Sequence, residues 1–178
     1  MSFFPMCVDL KGETVFLVGN GKQIQRKKET LTAFGPVLIH KETFAEKDAV
    51  TKPAFVVVGD TSLPEAERIC RLCRQHSIPV NVVDVPHLCT FFFPALITRG
   101  DMTVSISTGG KTPAAASYLR REIEKHVPDR TEEILNWASE NREQLREMGI
   151  LNEAVAAAFR ANCPLTRIQL DALLISDE

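Results

Sequence analysis

Apolar residues in the first two thirds of the chain gather in short unbroken runs separated by amphipathic stretches. Thr14-Val-Phe-Leu-Val-Gly19 leads into Lys22 to Phe34, where apolar residues fall at 24, 31 and 34, and this predicts a strand, a turn and a helix. Gly35-Pro36 then punctuates the chain before Val37-Leu-Ile39, and Pro53 precedes Ala54-Phe-Val-Val-Val-Gly59. Between Pro64 and Ser77 the apolar positions 66, 69, 70 and 73 have helical spacing, and the next run is Pro79-Val-Asn-Val-Val-Asp84. Strands separated by helices predict an α/β fold with a parallel sheet.

From Phe91 the pattern changes. Phe91 to Thr98 and Met102 to Thr108 read as extended segments around a hairpin turn at Arg99-Gly100-Asp101, so this sheet is expected to be antiparallel or mixed. Thr112-Pro113 reads as an N-cap with proline at the first helical position, followed by Ala116, Leu119, Ile123 and Val127 along one face. Beyond Pro128 the expectation is helical throughout, with Asp129 and Glu132 spaced as a capping box, Gly149 as a stop, Asn152 as a cap and Pro164 as a break. Trp137 with Ile134, Ala138, Leu145 and Met148 makes a helical stripe suited to a core or a subunit contact.

Composition changes this picture little. A chain of 178 residues with 44% hydrophobic and 25% charged residues is an ordinary folded protein, long enough for one substantial core and a helical appendage. A net charge of -2, from 21 basic and 23 acidic residues, gives no general attraction to nucleic acid or to an anionic membrane. Met1 to Asp9 lacks a positive lead-in and is interrupted by Pro5, so no signal peptide is expected, and no apolar run is long enough to span a membrane. Five cysteines without an export signal point to reduced thiols and a cytoplasmic protein.

The candidate chemistry lies at three turns. Gly19-Asn-Gly21 sits between a strand and a helix, where glycines let a backbone approach a pyrophosphate; a tight turn with no ligand is the alternative. A dinucleotide fingerprint wants a small residue where this chain has Ile24, and an acidic residue where Val37-Leu-Ile39 ends in His40-Lys41. Lys22, Arg26, Lys27 and Lys28 could serve phosphates or form a solvated helix face. Asp84 ends a strand, at the sheet edge where ligands bind, and flanking valines would desolvate it as a general base; a capping aspartate is the alternative. Ser107-Thr-Gly-Gly-Lys111 collects hydroxyls, backbone N–H groups and an ammonium before a helix, an anion-binding arrangement or simply a redirecting turn. Cys70 and Cys73 lie on the apolar face of their helix and read as core, and His87 and Cys89 are not assigned as metal ligands.

Taken together, Phe4-Pro-Met, Val8-Asp-Leu-Lys-Gly12, Gly19-Asn-Gly21 with Arg26-Lys27, Ile78-Pro-Val-Asn-Val-Val-Asp84, Phe93-Pro-Ala95 and Val104-Ser-Ile-Ser-Thr-Gly-Gly-Lys-Thr-Pro113 resemble the precorrin-2 dehydrogenase module of sirohaem synthesis, over about the first 125 residues. The resemblance implies a Rossmann-like NAD-binding domain over 1–90, a dimerisation and substrate-site region over 91–127, and a helical domain over 128–178. It implies NAD-dependent oxidation of precorrin-2 to sirohydrochlorin by a homodimer, with ferrous iron insertion in some members. By the same carry-over Asp84 is the catalytic aspartate, and Gly19, Asn20, Gly21, Lys22, Gln23 and His40 contact the cofactor. Asn81, Ser107, Thr108, Gly109, Gly110 and Lys111 contact the tetrapyrrole, whose carboxylate arms Arg99, Arg120 and Arg121 could also meet. The chain departs from the family at Asn20, where three glycines are usual, at Ile24, between Ile39 and Ala54, which is short by roughly a helix and a strand, and at Gly59-Asp60-Thr61, a looser match to the family's threonine-aspartate. Those departures motivate two other readings: a non-oxidising tetrapyrrole carrier, and a chelatase that uses no NAD.

Overall fold

The computed structural model describes residues 4–175, so the outermost residues of the two terminal domains expected from sequence, 1–3 and 176–178, lie outside the described residues. The chain divides into two compact units, 1–93 and 94–178.

In the first unit β1 (Thr14–Val18), β2 (Val37–Lys41), β3 (Phe55–Val58) and β4 (Val80–Val82) form a wholly parallel sheet in the order β2-β1-β3-β4. The parallel α/β architecture expected from the run-and-helix pattern is present. Its central strands β1 and β3 are almost wholly apolar without alternation because both faces are covered. Phe16, Val18, Val56, Val58, Val80 and Val82 join Ala66, Ile69, Cys70 and Cys73 of α3 (Leu63–Gln75) in one core. Val15, Leu17 and Val57 meet Ile24 and Leu31 of α1 (Lys22–Thr32) on the other face. Burying a Val or Ile side chain there is worth roughly 1.5–3 kcal/mol against leaving it in water. Cys70 and Cys73 are core residues, as their helical spacing predicted, and burial pushes the Cys73 thiol up to about 12, which keeps it protonated and inert.

The short link between β2 and β3 holds only a single four-residue turn of helix, α2 (Glu46–Ala49), and leaves β2 as the sheet's outer strand. Phe44 fills the space beneath this link, fully buried and edge-on to Phe16 at 5.2 Å. Arg68 of α3 donates to the Phe44 carbonyl at 2.7 Å and to both oxygens of Glu65, holding the Glu65 carboxyl down to about 2. On the opposite edge the return segment after β4 satisfies the strand with side chains. Thr90 Oγ1 accepts from Val80 N at 2.8 Å, and Cys89 Sγ accepts from Val82 N at 3.2 Å. Edge N–H groups are thereby closed to other strands.

The second unit begins with a hairpin, β5 (Ala95–Arg99) and β6 (Met102–Ile106), antiparallel around Gly100 and Asp101. Gly100 has φ +55°, and a side chain there would collide with Glu132. Phe91 to Pro94 lie outside the strands, because Phe91 and Phe93 pack on Phe55 with ring centroids 5.0 and 6.1 Å away. α4 (Pro113–Glu124) starts one residue after Thr112 as expected, and α5 (Thr131–Glu140), α6 (Arg142–Glu147), α7 (Leu151–Ala161) and α8 (Arg167–Ile175) follow. Ile134, Leu145, Ile150, Ala154, Ala158, Leu165 and Leu170 form their core. α5 begins one residue later than a cap at Asp129 would set it: Arg130 stands at the cap and Thr131 opens the helix, donating its hydroxyl to the Pro128 carbonyl at 2.6 Å. Among the described residues no helix is long and apolar enough to cross a membrane.

Candidate functional site

In the first unit the chain runs from β1 outward to β2 and then returns to the far side of β1 as β3, so the strand order reverses between β1 and β3. Open α/β sheets leave a crevice at the carboxyl ends of such strands, and Gly19-Asn20-Gly21 occupies that place. Gly19 and Gly21 have φ +80° and +106°, conformations that favour glycine. His40, at the end of β2, donates from Nε2 to the Gly19 carbonyl at 2.7 Å and so pins the turn. Lys22 and Gln23 are exposed on the first turn of α1, and Asn20 is exposed beside them. Lys41 is tied to Asp48.

Ile24, expected to be too bulky for this place, is only 4% exposed and does not push the helix away. Its side chain enters the space left by Gly59 at the end of β3, where a Cβ would overlap Ile24 and stand 2.6 Å from the Asn20 carbonyl. The small residue that the fingerprint asks of the helix is supplied from the strand.

The loops after β1 and β3 are joined by an isolated bridge, with Asp60 N donating to Asn20 O at 3.0 Å. Asp60 then lays its carboxylate over Gly21: a Cβ on that glycine would lie 2.7 Å from the Asp60 carboxyl carbon. The backbone of the turn fits a pyrophosphate, having two glycines, no covering side chain of its own and an uncapped helix N-terminus. The side chain of Asp60 stands where that group would approach.

At the same sheet edge β4 ends, and Asp84 follows with φ +58°, a left-handed backbone that aspartate tolerates better than most residues. Asp84 is exposed, so the valines beside it in sequence do not desolvate it as expected. Strand order carries Val83 N onto Val58 O at 2.9 Å, and the backward turn at Asp84 then delivers the chain to the 3-10 turn Pro86–Leu88. Asn81 is 5% exposed and donates to the Phe91 carbonyl at 3.0 Å, which fastens the segment that returns beneath Asp84.

Lys27 is a neighbour that the charge run concealed. Its ammonium sits 3.8 Å above the Phe93 ring, and burial pulls its pKa below the ordinary lysine value even though Cys89 and Asp84 lie close enough to oppose that shift. A run of four basic residues reads as a solvated face; the signal for Lys27 comes from Phe93, far along the chain.

In the second unit Gly109 and Gly110 have φ +63° and +77°, so the turn before α4 needs both glycines. Ser107 Oγ accepts from Gly109 N at 3.2 Å, and Thr108 Oγ1 donates to Thr112 O at 3.2 Å. Ser107, Gly110 and Lys111 are exposed. Arg99 and Arg120 both bond Glu124, at 3.5 and 2.6 Å, whereas Arg121 is exposed and has no ion pair among the described residues. Among the described residues no three His, Cys, Asp or Glu side chains gather as metal ligands would.

Residues 6–95 match the family described as putative NAD(P)-binding, and residues 99–126 match the central region of sirohaem biosynthesis proteins. The chain is similar to the siroheme synthase of Azotobacter vinelandii, 30% identical over 83% of this chain and 36% of that protein. The siroheme synthase of Methylococcus capsulatus is 29% identical over 83% of this chain and 35% of its own length. The chain thus spans about a third of the length of these relatives. A solved structure, that of SirC, a precorrin-2 dehydrogenase, has the same fold with a TM-score of 0.67 at 16% identity, covering 98% of both chains.

Proposed function

The chain belongs to the putative NAD(P)-binding family, and we propose that it catalyses the NAD-dependent oxidation of precorrin-2 to sirohydrochlorin in sirohaem biosynthesis. The observation that carries this reading is the shared sheet edge of the first unit. A glycine turn shaped for a pyrophosphate and a carboxylate held out by a left-handed backbone both lie at the carboxyl ends of its strands. NAD, when bound, supplies a hydride acceptor. Asp84 takes the proton that leaves the macrocycle as the hydride departs, so that the substrate loses two electrons and two protons. The cofactor is held by Gly19, Asn20 and Gly21, with Lys22 and Gln23 at the start of α1, while His40 fixes the turn from below. Asn81 acts through the segment it fastens, and Ser107, Thr108, Gly109, Gly110 and Lys111 receive carboxylate arms of the tetrapyrrole.

The parts of the chain follow that assignment: cofactor domain 1–90, dimerisation and substrate region 91–127, helical domain 128–178. A cytoplasmic homodimer is the form proposed. Tyr118, Leu119 and Ile123 of α4 are 56%, 43% and 38% exposed, apolar surface that a second copy would cover.

Incubation with precorrin-2 and NAD, followed by absorbance, tests the reading: sirohydrochlorin appears with wild type, and Asp84→Asn slows its appearance at least about 100-fold while leaving NAD affinity unchanged. Full activity in Asp84→Asn removes the assigned base. A second reading, a non-oxidising tetrapyrrole carrier, draws on Asp60 over the glycine turn; it predicts sirohydrochlorin binding without turnover.

A further inference from the structure

The N-terminus of α1 has no acidic residue in its first turn and no side-chain cap at Gly21, so its N–H groups and positive dipole end lack a partner from their own helix. An anionic group reaches that end instead from the loop after β3. Asp60 is fixed by its main chain, through the Asn20 bridge and by the close approach of its carbonyl to Gly19, where a Cβ would stand 3.1 Å away. Its carboxylate lies over Gly21 and makes no hydrogen bond or ion pair among the described residues. A pyrophosphate seated on this turn would have to share the place with that carboxylate, or displace it.

We propose that Asp60 sets the dinucleotide affinity of this protein: its carboxylate is a built-in anion competing with the cofactor's pyrophosphate for the Gly21 turn. The proposal rests on the NAD-binding reading above. The bridge is made by backbone atoms, so a neutral isostere removes the charge and leaves the loop in place. The carboxylate must swing toward solvent when the cofactor binds, and like charges a few ångströms apart near a protein surface then work against the complex. Because that opposition is between exposed charges, salt weakens it.

Calorimetric titration of the full chain with NAD tests this without reference to catalysis. Asp60→Asn is expected to bind about tenfold more tightly than wild type at low salt, and the gain falls to roughly twofold near 0.5 M salt. Asp60→Ser, smaller and equally neutral, is expected to shift affinity in the same direction. Equal or weaker binding by both variants overturns the proposal and leaves the NAD-binding reading standing, with weaker binding making Asp60 a contact to the cofactor's hydroxyls. Binding by neither wild type nor the variants at millimolar NAD overturns both.

Discussion

Lys27 is held against its own preference, since burial beside the Phe93 ring pulls its pKa down while Asp84 and Cys89 only partly restore it. A base with a depressed folded pKa is charged in both states only below that folded value, and there folding bears the full cost of burying the ammonium. The cost is relieved as pH rises through the folded value toward the ordinary 10.5. Lys27→Met keeps the stem and removes the charge. It is expected to raise the melting temperature at pH 7 by roughly 1–4 °C, with the gain fading above about pH 10.5; thermal unfolding at the two pH values checks the sign. Precorrin-2 oxidation is expected to fall by about fivefold in the same variant, since the Asp84 carboxylate loses its nearby cation. A gain in stability joined to a loss in rate is the mark of a residue kept for function. The position of Asp84 at the sheet edge was legible in the sequence, because a strand end and a following Val-Pro announce such an edge; its exposure was not. Lys27 and Asp60 were not, because what distinguishes each is a contact with a residue far away in the chain: Phe93 in one case, Gly21 in the other.

At the level of elements, strand runs and helix periods located the parallel sheet and its helices, and errors gathered at their ends. The first helix stops at Thr32 and not Phe34, and helix α5 opens at Thr131 because its hydroxyl finds the Pro128 carbonyl. More informative is the contact of α1 with β3. The bulk of Ile24 looked incompatible with close helix packing only as long as its partner was unknown; Gly59 supplies the missing volume. The pair is therefore one packing decision written at two positions. Gly59→Ala is expected to destabilise the protein by about 1–3 kcal/mol, the usual cost of overpacking, because its new methyl meets Ile24 on one side and the Asn20 carbonyl at 2.6 Å on the other. The displaced Asn20 also disturbs the glycine turn, so NAD affinity falls along with the urea midpoint. A variant with unchanged midpoint would show that the helix has room to retreat.

For the whole molecule, each unit has its own apolar core: the two clusters around the parallel sheet lie entirely within residues 1–93, and the helical cluster lies entirely beyond residue 130. The end of the first unit at Phe93 depends on how β4 is closed off. Cys89 and Thr90 satisfy its outer N–H groups, Asn81 binds the Phe91 carbonyl, and Phe91 and Phe93 cover Phe55. A fragment of residues 1–93 keeps all of these contacts together with Gly19, Gly21, His40 and Asp60. It is expected to unfold cooperatively in urea and to bind NAD within about threefold of the full chain, as a domain of this size with its own core can. A fragment ending at residue 90 keeps Cys89 and Thr90 but loses the two phenylalanines and the acceptor for the buried Asn81 amide. It is expected to be about 3–5 kcal/mol less stable, the combined loss of two half-buried aromatics and of a buried amide's acceptor, and an exposed β4 edge would favour its aggregation. Equal stability of the two fragments would mean that Phe91 and Phe93 contribute nothing to closing the first unit, and that Cys89 and Thr90 suffice to finish its sheet.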